Sequence, residues 1–399
     1  MLAPDIAVTG LGVWSAAGIT PDQLWSSVMA AKPRGERRNF PGLPHPCAVC
    51  VAPDPPPSSA LPQARRMDRA VRLALAAATP AFAEARLNEL DPDRVAILVG
   101  NSRGPVEEAT HADPPRPRPT RVAHSAVASL SGALSLAFRV RGPCLTVSAT
   151  CASSAHAIAL GAGLLRCGVV DAVLAGGAEA PLVPQLLVQF DAAHLLDHEA
   201  PPDAACRPFA ADRKGILPGE GAAFLVLERL DSALRRGLEP HARLASALMG
   251  SESHNRVAAH PDGASLARQI ERALHESGLV PADIGYINAH GTGTVVNDAA
   301  EAAAFRRVFG PSLALGHPAV SSTKPVTGHT FGAAGALEAV IAILALRHRQ
   351  APPTASTRIP APDLGIPPVL GSPVPLATPH VLSTSLGFWG NHATLLFSR

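Results

Sequence analysis

The feature that most constrains this chain is an alternation. Short apolar runs give way repeatedly to longer stretches with helical spacing. Runs at Ile6–Thr9, Val95–Val99, Ala172–Ala175, Ala223–Leu227, Gly285–Ala289 and His380–Thr384 read as strands. Arg66–Glu84, Ala152–Arg166, Ala264–Ser277, Ala299–Phe309 and Ala334–His348 read as helices. Strand–helix alternation of this kind predicts an α/β architecture. Apolar residues form 47% of the chain and charged residues 17%, a balance that suits a folded core rather than a disordered chain. Aromatics reach only 4% while Ala, Gly and Pro abound, so the layers must pack closely on small and branched aliphatic side chains.

Charge excludes more than it suggests. A formal charge of +2 argues for neither a nucleic-acid nor a membrane-surface partner. No run of about 18 apolar residues stands out, which predicts no membrane-crossing helix. The start, MLAPDIAVTGLGVWSAAG, lacks the basic opening and long apolar core of a signal peptide and reads as a strand entering a glycine turn. Six cysteines without a dense, regular framework suit a reducing compartment, and the expected location is cytoplasmic. Three Pro-rich stretches, Ala52–Pro62, Asp113–Thr120 and Ala351–Pro375, read as surface loops. The charged segment Leu230–His241 reads as a junction between two halves of similar strand and helix content.

Three segments carry chemistry. In the first, Thr146–Gly163, the β-prone run Leu145–Val147 leads to Cys151 and then to a helical pattern of small residues. A cysteine at such a junction faces unpaired first-turn amides and the positive end of a helix dipole, which predicts a lowered thiol pKa. Position alone leaves a buried structural cysteine equally open. Cys47 and Cys50 form a single CxxC with no second pair nearby, which is weak evidence for zinc or redox chemistry. Cys144, Cys167 and Cys206 read as packing residues.

The second segment is Asn288-Ala289-His290-Gly291-Thr292-Gly293-Thr294, running on through Asp298 to Glu301. The third is Ser321-Ser322-Thr323-Lys324-Pro325-Val326-Thr327-Gly328-His329, followed by Phe331-Gly332-Ala333-Ala334-Gly335. Taken singly, either histidine and the lysine would pass as ordinary residues. Together with Cys151 they supply what acyl-thioester condensation needs. A thiolate holds the acyl group, and two neutral imidazoles can donate to the oxygen of a developing enolate. A hydrolase would instead need one histidine oriented as a base.

At these residues the chain resembles the β-ketoacyl-acyl-carrier-protein synthases of the thiolase superfamily, over nearly its whole length. VTGLGVWSAAG, Arg65–Ala70, Cys206–Arg213 and Pro218–Ala222 carry the likeness alongside the three segments above. The resemblance implies a thiolase fold, with two similar halves (1–235 and 236–399) stacked as a five-layered α/β/α/β/α sandwich. It implies acyl transfer from a carrier protein's phosphopantetheine arm to Cys151, and malonyl decarboxylation promoted by His290 and His329. Lys324 would hold His329 and pair with Glu301. Thr292 and Thr294 would face the pantetheine arm, and the amides of Cys151 and Phe388 would form the oxyanion hole. Arg65, Arg66 and Arg69, expected on one helix, and Arg207 would meet the acidic carrier protein. No metal or nucleotide is implied, and members are dimers.

The C-terminal loop departs from the family's Gly-Phe-Gly-Gly pattern followed by a residue and Asn. Here it reads Gly387-Phe388-Trp389-Gly390-Asn391-His392. Trp389 removes glycine's freedom and predicts a stiffer gate with a reshaped acyl or malonyl entrance. The altered gate and the Ala/Pro/Arg-rich composition point towards a specialised polyketide or polyene pathway as well as fatty-acid synthesis. Two other readings stay open at this point. One is a chain-length-determining partner of a heterodimeric ketosynthase with little chemistry of its own. The other is a thiolase or cysteine hydrolase, although no cysteine follows Cys206 to serve as a thiolase base.

Overall fold

The computed structural model describes residues 5–107 and 119–399, so all but the last two residues of the loop Asp113–Thr120 lie outside the described residues. Ten strands make one mixed sheet: β1 (Ile6–Ser15), β2 (Val95–Gly100), β3 (Cys144–Val147), β4 (Ala172–Glu179), β5 (Gly221–Arg229), β6 (Ala242–Ser251), β7 (Tyr286–Asn288), β8 (Ala319–Ser321), β9 (His380–Leu386) and β10 (Asn391–Ser398). Their spatial order is β3-β2-β4-β5-β1-β6-β10-β9-β7-β8. The second five repeat the first. In each set the third, second and fourth strands in chain order run parallel as neighbours, and the fifth and first join antiparallel.

Among the described residues only the start of β1 joins the two sets, through antiparallel pairs Ile6–Leu244, Ala7–Arg243 and Val8–Ala242. Beyond that seam two helices, α3 (Ser153–Arg166) and α6 (Ala334–His348), pack on each other and touch strands of both sets. Outside the first set lie α1 (Arg69–Glu84) and α2 (Ser129–Phe138); outside the second lie α4 (Ala264–Glu276) and α5 (Val295–Phe309). The result is five layers, α/β/α/β/α.

Small residues set the spacing of these layers. In β1, a Cβ on Gly10 would lie 2.3 Å from the Ala81 carbonyl of α1, and one on Gly12 would lie 1.9 Å from that of Ala77. Both glycines read as turn residues, yet they continue the strand because the helix backbone lies directly on them. Central α6 is buried at every residue from Ala334 to Leu346. The segment Phe331–His348 is in fact apolar enough and long enough to cross a membrane by composition, contrary to the sequence expectation, but 89% of it is buried inside the protein. It is the core helix between the sheets.

The helix expected from Arg66 begins later. Pro62–Arg66 forms a separate 3-10 turn, and Asp68 caps α1 by accepting the Ala70 amide at 2.8 Å. Arg65 and Arg66 therefore do not share a helix with Arg69.

Candidate active site

Cys151 lies in the short link from β3 to α3. The turn is closed by its own polar groups: Ser153 Oγ accepts the Ala149 amide at 2.9 Å and donates to the Thr150 carbonyl at 2.5 Å. Thr150 has φ +52°, an uncommon backbone for a β-branched residue. Cys151 is 8% exposed. Burial pushes its thiol up to about 12, outweighing the pull of the Lys324 and Arg103 cations. The lowered thiol pKa expected from the helix dipole is thus absent at rest, because desolvation exceeds it. At rest Cys151 is a thiol.

His290 follows β7, at the mouth of the same central region. Glu301, reaching back from α5, accepts the amides of His290 at 2.8 Å and Gly291 at 2.6 Å, with Asn297 Nδ2 at 3.0 Å and Thr384 Oγ1 at 2.9 Å. Burial nevertheless raises Glu301 to about 7. Lys324 does not pair with Glu301. Its ammonium, 1% exposed, pairs with Glu338 of α6, donates to the His290 carbonyl, and lies 3.2 Å from His290 Nδ1. The expected hold on His329 is likewise a hold on His290. An ammonium can only donate, so Nδ1 must accept and the His290 proton sits on Nε2.

His329 closes the constellation. Its ring meets that of His290 edge to face at 5.3 Å and stacks on Phe331 at 4.6 Å, which in turn stacks on Phe190 at 4.8 Å. Its backbone is fixed to the segment after Cys206: the His329 amide donates to Leu217 and its carbonyl accepts Gly219. Burial and the Lys324 cation hold both imidazoles well below the usual histidine range, so both stay neutral at neutral pH. A neutral imidazole beside an ammonium is a hydrogen-bond donor suited to a developing enolate oxygen.

Cys151, His290, His329, Thr292, Thr294 and Phe388 all line one cavity of about 340 Å³. Thr292 and Thr294 share a hydrogen bond at 2.9 Å. A Cβ on Gly387 would stand 3.0 Å from the Cys151 amide nitrogen, so the Gly387–Phe388 backbone runs directly past that amide.

Other expected site residues lie elsewhere. Trp389 does not line the cavity; its side chain is 66% exposed, with φ +63°. The bulk expected at the entrance points to solvent. Arg69 grips buried Glu220 through two nitrogens at 2.6 and 2.9 Å, with Asp54 and the Ala52 carbonyl completing its partners. Arg207 is paired with buried Asp197 at 2.9 Å. Both arginines are structural ties rather than free docking groups, while Arg65 and Arg66 are exposed. Cys47 and Cys50 are buried, and all six cysteines are free.

Sequence reasoning missed Glu338 and His392's environment. Glu338 had a legible signal: a lone carboxylate in an otherwise apolar helix needs a buried cation. His392 is 3% exposed, accepts the His156 Nε2 proton on its carbonyl at 3.1 Å, and meets Ser265 Oγ through its own Nε2 at 3.0 Å.

Comparison with known proteins agrees with this geometry. The "Beta-ketoacyl synthase, N-terminal domain" family matches residues 52–233 and the "Beta-ketoacyl synthase, C-terminal domain" family matches residues 241–358. The chain is 34% identical to 3-oxoacyl-[acyl-carrier-protein] synthase 2 of Staphylococcus aureus (strain COL), over 84% of this chain and 83% of that one. It is 32% identical to the synthase of the same name from Synechocystis sp., over 99% and 98%. Among solved structures it is similar to the ishigamide ketosynthase/chain length factor, with TM-score 0.88 and 30% identity over 99% of each chain. The ketosynthase ApeO in complex with its chain length factor ApeC, from Xenorhabdus doucetiae, aligns with TM-score 0.85 and 27% identity over 99% of this chain and 98% of that one.

The chain belongs to the β-ketoacyl synthase family, within the thiolase superfamily. It is an acyltransferase-type condensing enzyme of fatty-acid or polyketide synthesis.

Proposed function

We propose that this chain joins an acyl group held on Cys151 to a malonyl unit carried by acyl carrier protein, by decarboxylative Claisen condensation. The observation that carries this reading is the convergence of Cys151, His290 and His329 on one 340 Å³ cavity. In the first half-reaction the Cys151 sulfur attacks the acyl thioester, the carrier sulfur departs, and the thiol proton leaves with it. In the second, the malonyl unit loses carbon dioxide while His290 Nε2–H and the neutral His329 donate to the thioester oxygen as it becomes an enolate oxygen. The enolate carbon attacks the acyl-Cys151 carbonyl, the Cys151 and Phe388 amides receive the oxyanion, and the Cys151 sulfur leaves as thiolate and is reprotonated by water.

Lys324 acts here as a positioning residue: held by Glu338, it fixes the tautomer of His290. Thr292 and Thr294 receive the pantetheine arm, and exposed Arg65 and Arg66 meet the acidic carrier protein. Substrates arrive covalently on that arm, so the scheme calls on no metal or nucleotide. The two halves divide at 235/236. The partners are acyl carrier protein and a second ketosynthase-fold subunit, either another copy or a related chain; the related solved complexes of ketosynthase with chain length factor support the latter. Six free thiols support a cytoplasmic location. A purely chain-length-setting role would leave the three converging catalytic groups without a purpose.

The test is mass spectrometry after incubation with acylated carrier protein, followed by malonyl carrier protein. An acyl adduct on Cys151 that is discharged to a β-ketoacyl product is expected. No adduct, or free acid as the sole product, overturns the reading.

A further inference from the structure

Behind Phe388, which lines the cavity, lies a hydrogen bond that the condensation chemistry does not use. Thr150 Oγ1, one residue before the nucleophile, lies 3.2 Å from the Phe388 carbonyl and 2.8 Å from the Ala149 carbonyl. A hydroxyl has a single proton, so these two carbonyls share it. The Phe388–Trp389 peptide is also gripped at its other end, where the Trp389 amide donates to the Arg256 carbonyl at 2.9 Å. Asn391 Nδ2 gives the Phe388 carbonyl a second donor at 3.1 Å.

The fit is close. A Cβ on Gly387 would come within 2.1 Å of Thr150 Oγ1, so the backbone leading into Phe388 lies directly against this hydroxyl. Both sides of the contact are held in backbone conformations that L-residues adopt reluctantly, φ +52° at Thr150 and +63° at Trp389. Trp389 gains little packing in return, because its ring is largely exposed. A strained peptide kept by specific donors can let go when one of them is removed.

We infer that Thr150 is a positioning residue whose hydroxyl latches the Phe388 gate shut over Cys151. When an acyl thioester enters, the Phe388 carbonyl withdraws and the Thr150 proton passes wholly to Ala149, so its donor is never left unpaired. The latch rests on the proposed acyl loading of Cys151, but its existence can be read without that chemistry.

The test compares Thr150→Val, which removes the hydroxyl and keeps the branched side chain, with Thr150→Ser, which keeps the hydroxyl. Two rates are read: acylation of Cys151 by acyl carrier protein, and its alkylation by iodoacetamide. One net hydrogen bond sets the scale, and both rates are expected to rise roughly 2- to 10-fold in Thr150→Val and to stay near wild type in Thr150→Ser. A merely structural threonine would change thermal stability without raising access to the thiol. Should Thr150→Val fold poorly, Thr150→Ala and Asn391→Ala, which removes the second donor to the Phe388 carbonyl, carry the same prediction. Unchanged alkylation in these variants, or Thr150→Ser behaving like Thr150→Val, overturns the latch. Absence of acylation in the wild type with faster alkylation in Thr150→Val would leave the latch standing and remove the proposed loading step.

Discussion

The two halves offer the same structural opening and fill it differently. In each, the third strand leads through a link to a central buried helix: β3 through residues 148–152 to α3, and β8 through residues 322–333 to α6. The first link is short and closed by Ser153, so it presents a single reactive atom, the Cys151 sulfur. The second is long enough to carry Lys324 and His329 and to turn through Phe331–Ala333 before α6 begins. On the mechanism proposed above, a repeated scaffold thereby divides the chemistry, one half to hold the acyl group and the other to promote malonyl decarboxylation.

That division predicts separable losses. Cys151→Ala should abolish both the acyl adduct and condensation, by at least roughly 10³-fold. His329→Ala should keep the adduct and lose malonyl-dependent product by about 10²- to 10³-fold. Intact-mass analysis before and after malonyl carrier protein separates the two steps. If His329→Ala also fails to load, the second half takes part in acyl transfer and the division breaks.

The Lys324–Glu338 pair sharpens it further. Removing one member leaves the other charge buried without its partner, as neither is more than 4% exposed. Lys324→Met or Glu338→Gln alone should therefore destabilise by about 3–5 kcal/mol, whereas replacing both with apolar residues should recover most of that loss. Condensation should stay impaired in the double variant, because His290 loses the donor that fixes its tautomer. Urea unfolding together with turnover reads both effects. Full recovery of turnover would show that the lysine serves stability alone.

How legible all this was depended on range. The apolar helix Ala334–His348 and the nucleophile turn could be read locally, since their signal lies within a few residues. Strands β1 and β4 were cut short before Gly10 and Gly176, β1 because its glycines read as a turn. They continue because neighbouring backbone comes within 2.3 and 2.1 Å of where a Cβ would stand. Strands β6 and β10 carry too little alternation to be seen without the partners that pair with them. Arg69 and Arg207 looked like a docking surface because their partners, Glu220 and Asp197, are fixed by tertiary packing. The same holds for Lys324, whose partner is set by how α6 packs rather than by spacing.

The halves also meet at His156 of α3 and His392 of β10, and here pH reports on the contact. Burial, with His156 and Arg268 nearby, lowers His392 to about 4, against an ordinary 6.5. Below 6.5 the unfolded chain binds a proton at this position that the native chain refuses. Stability therefore falls as the pH drops from 6.5 towards 4, by up to roughly 3 kcal/mol. His392→Asn should remove that portion of the acid sensitivity while leaving stability near pH 7.5 within about 1 kcal/mol. Melting curves of both proteins across that range check it. Equal acid sensitivity in the two would show that His392 is protonated in the native state.

The smallest effect is expected at Trp389, although the sequence marks it as the most conspicuous departure. Its ring points to solvent, so Trp389→Gly should leave the chain-length distribution of products unchanged. The backbone gains at φ +63°, by about 1 kcal/mol, while glycine's freedom in the unfolded chain offsets much of this. Net stability should move by no more than about 0.5 kcal/mol. Turnover should rise only about 2- to 3-fold, because a glycine lets the Phe388–Trp389 peptide leave its donors more readily. Product mass spectra and steady-state rates separate these effects. A shift in chain length would put the indole in the path of the acyl chain; a change in turnover alone would assign Trp389 to the hinge of the gate.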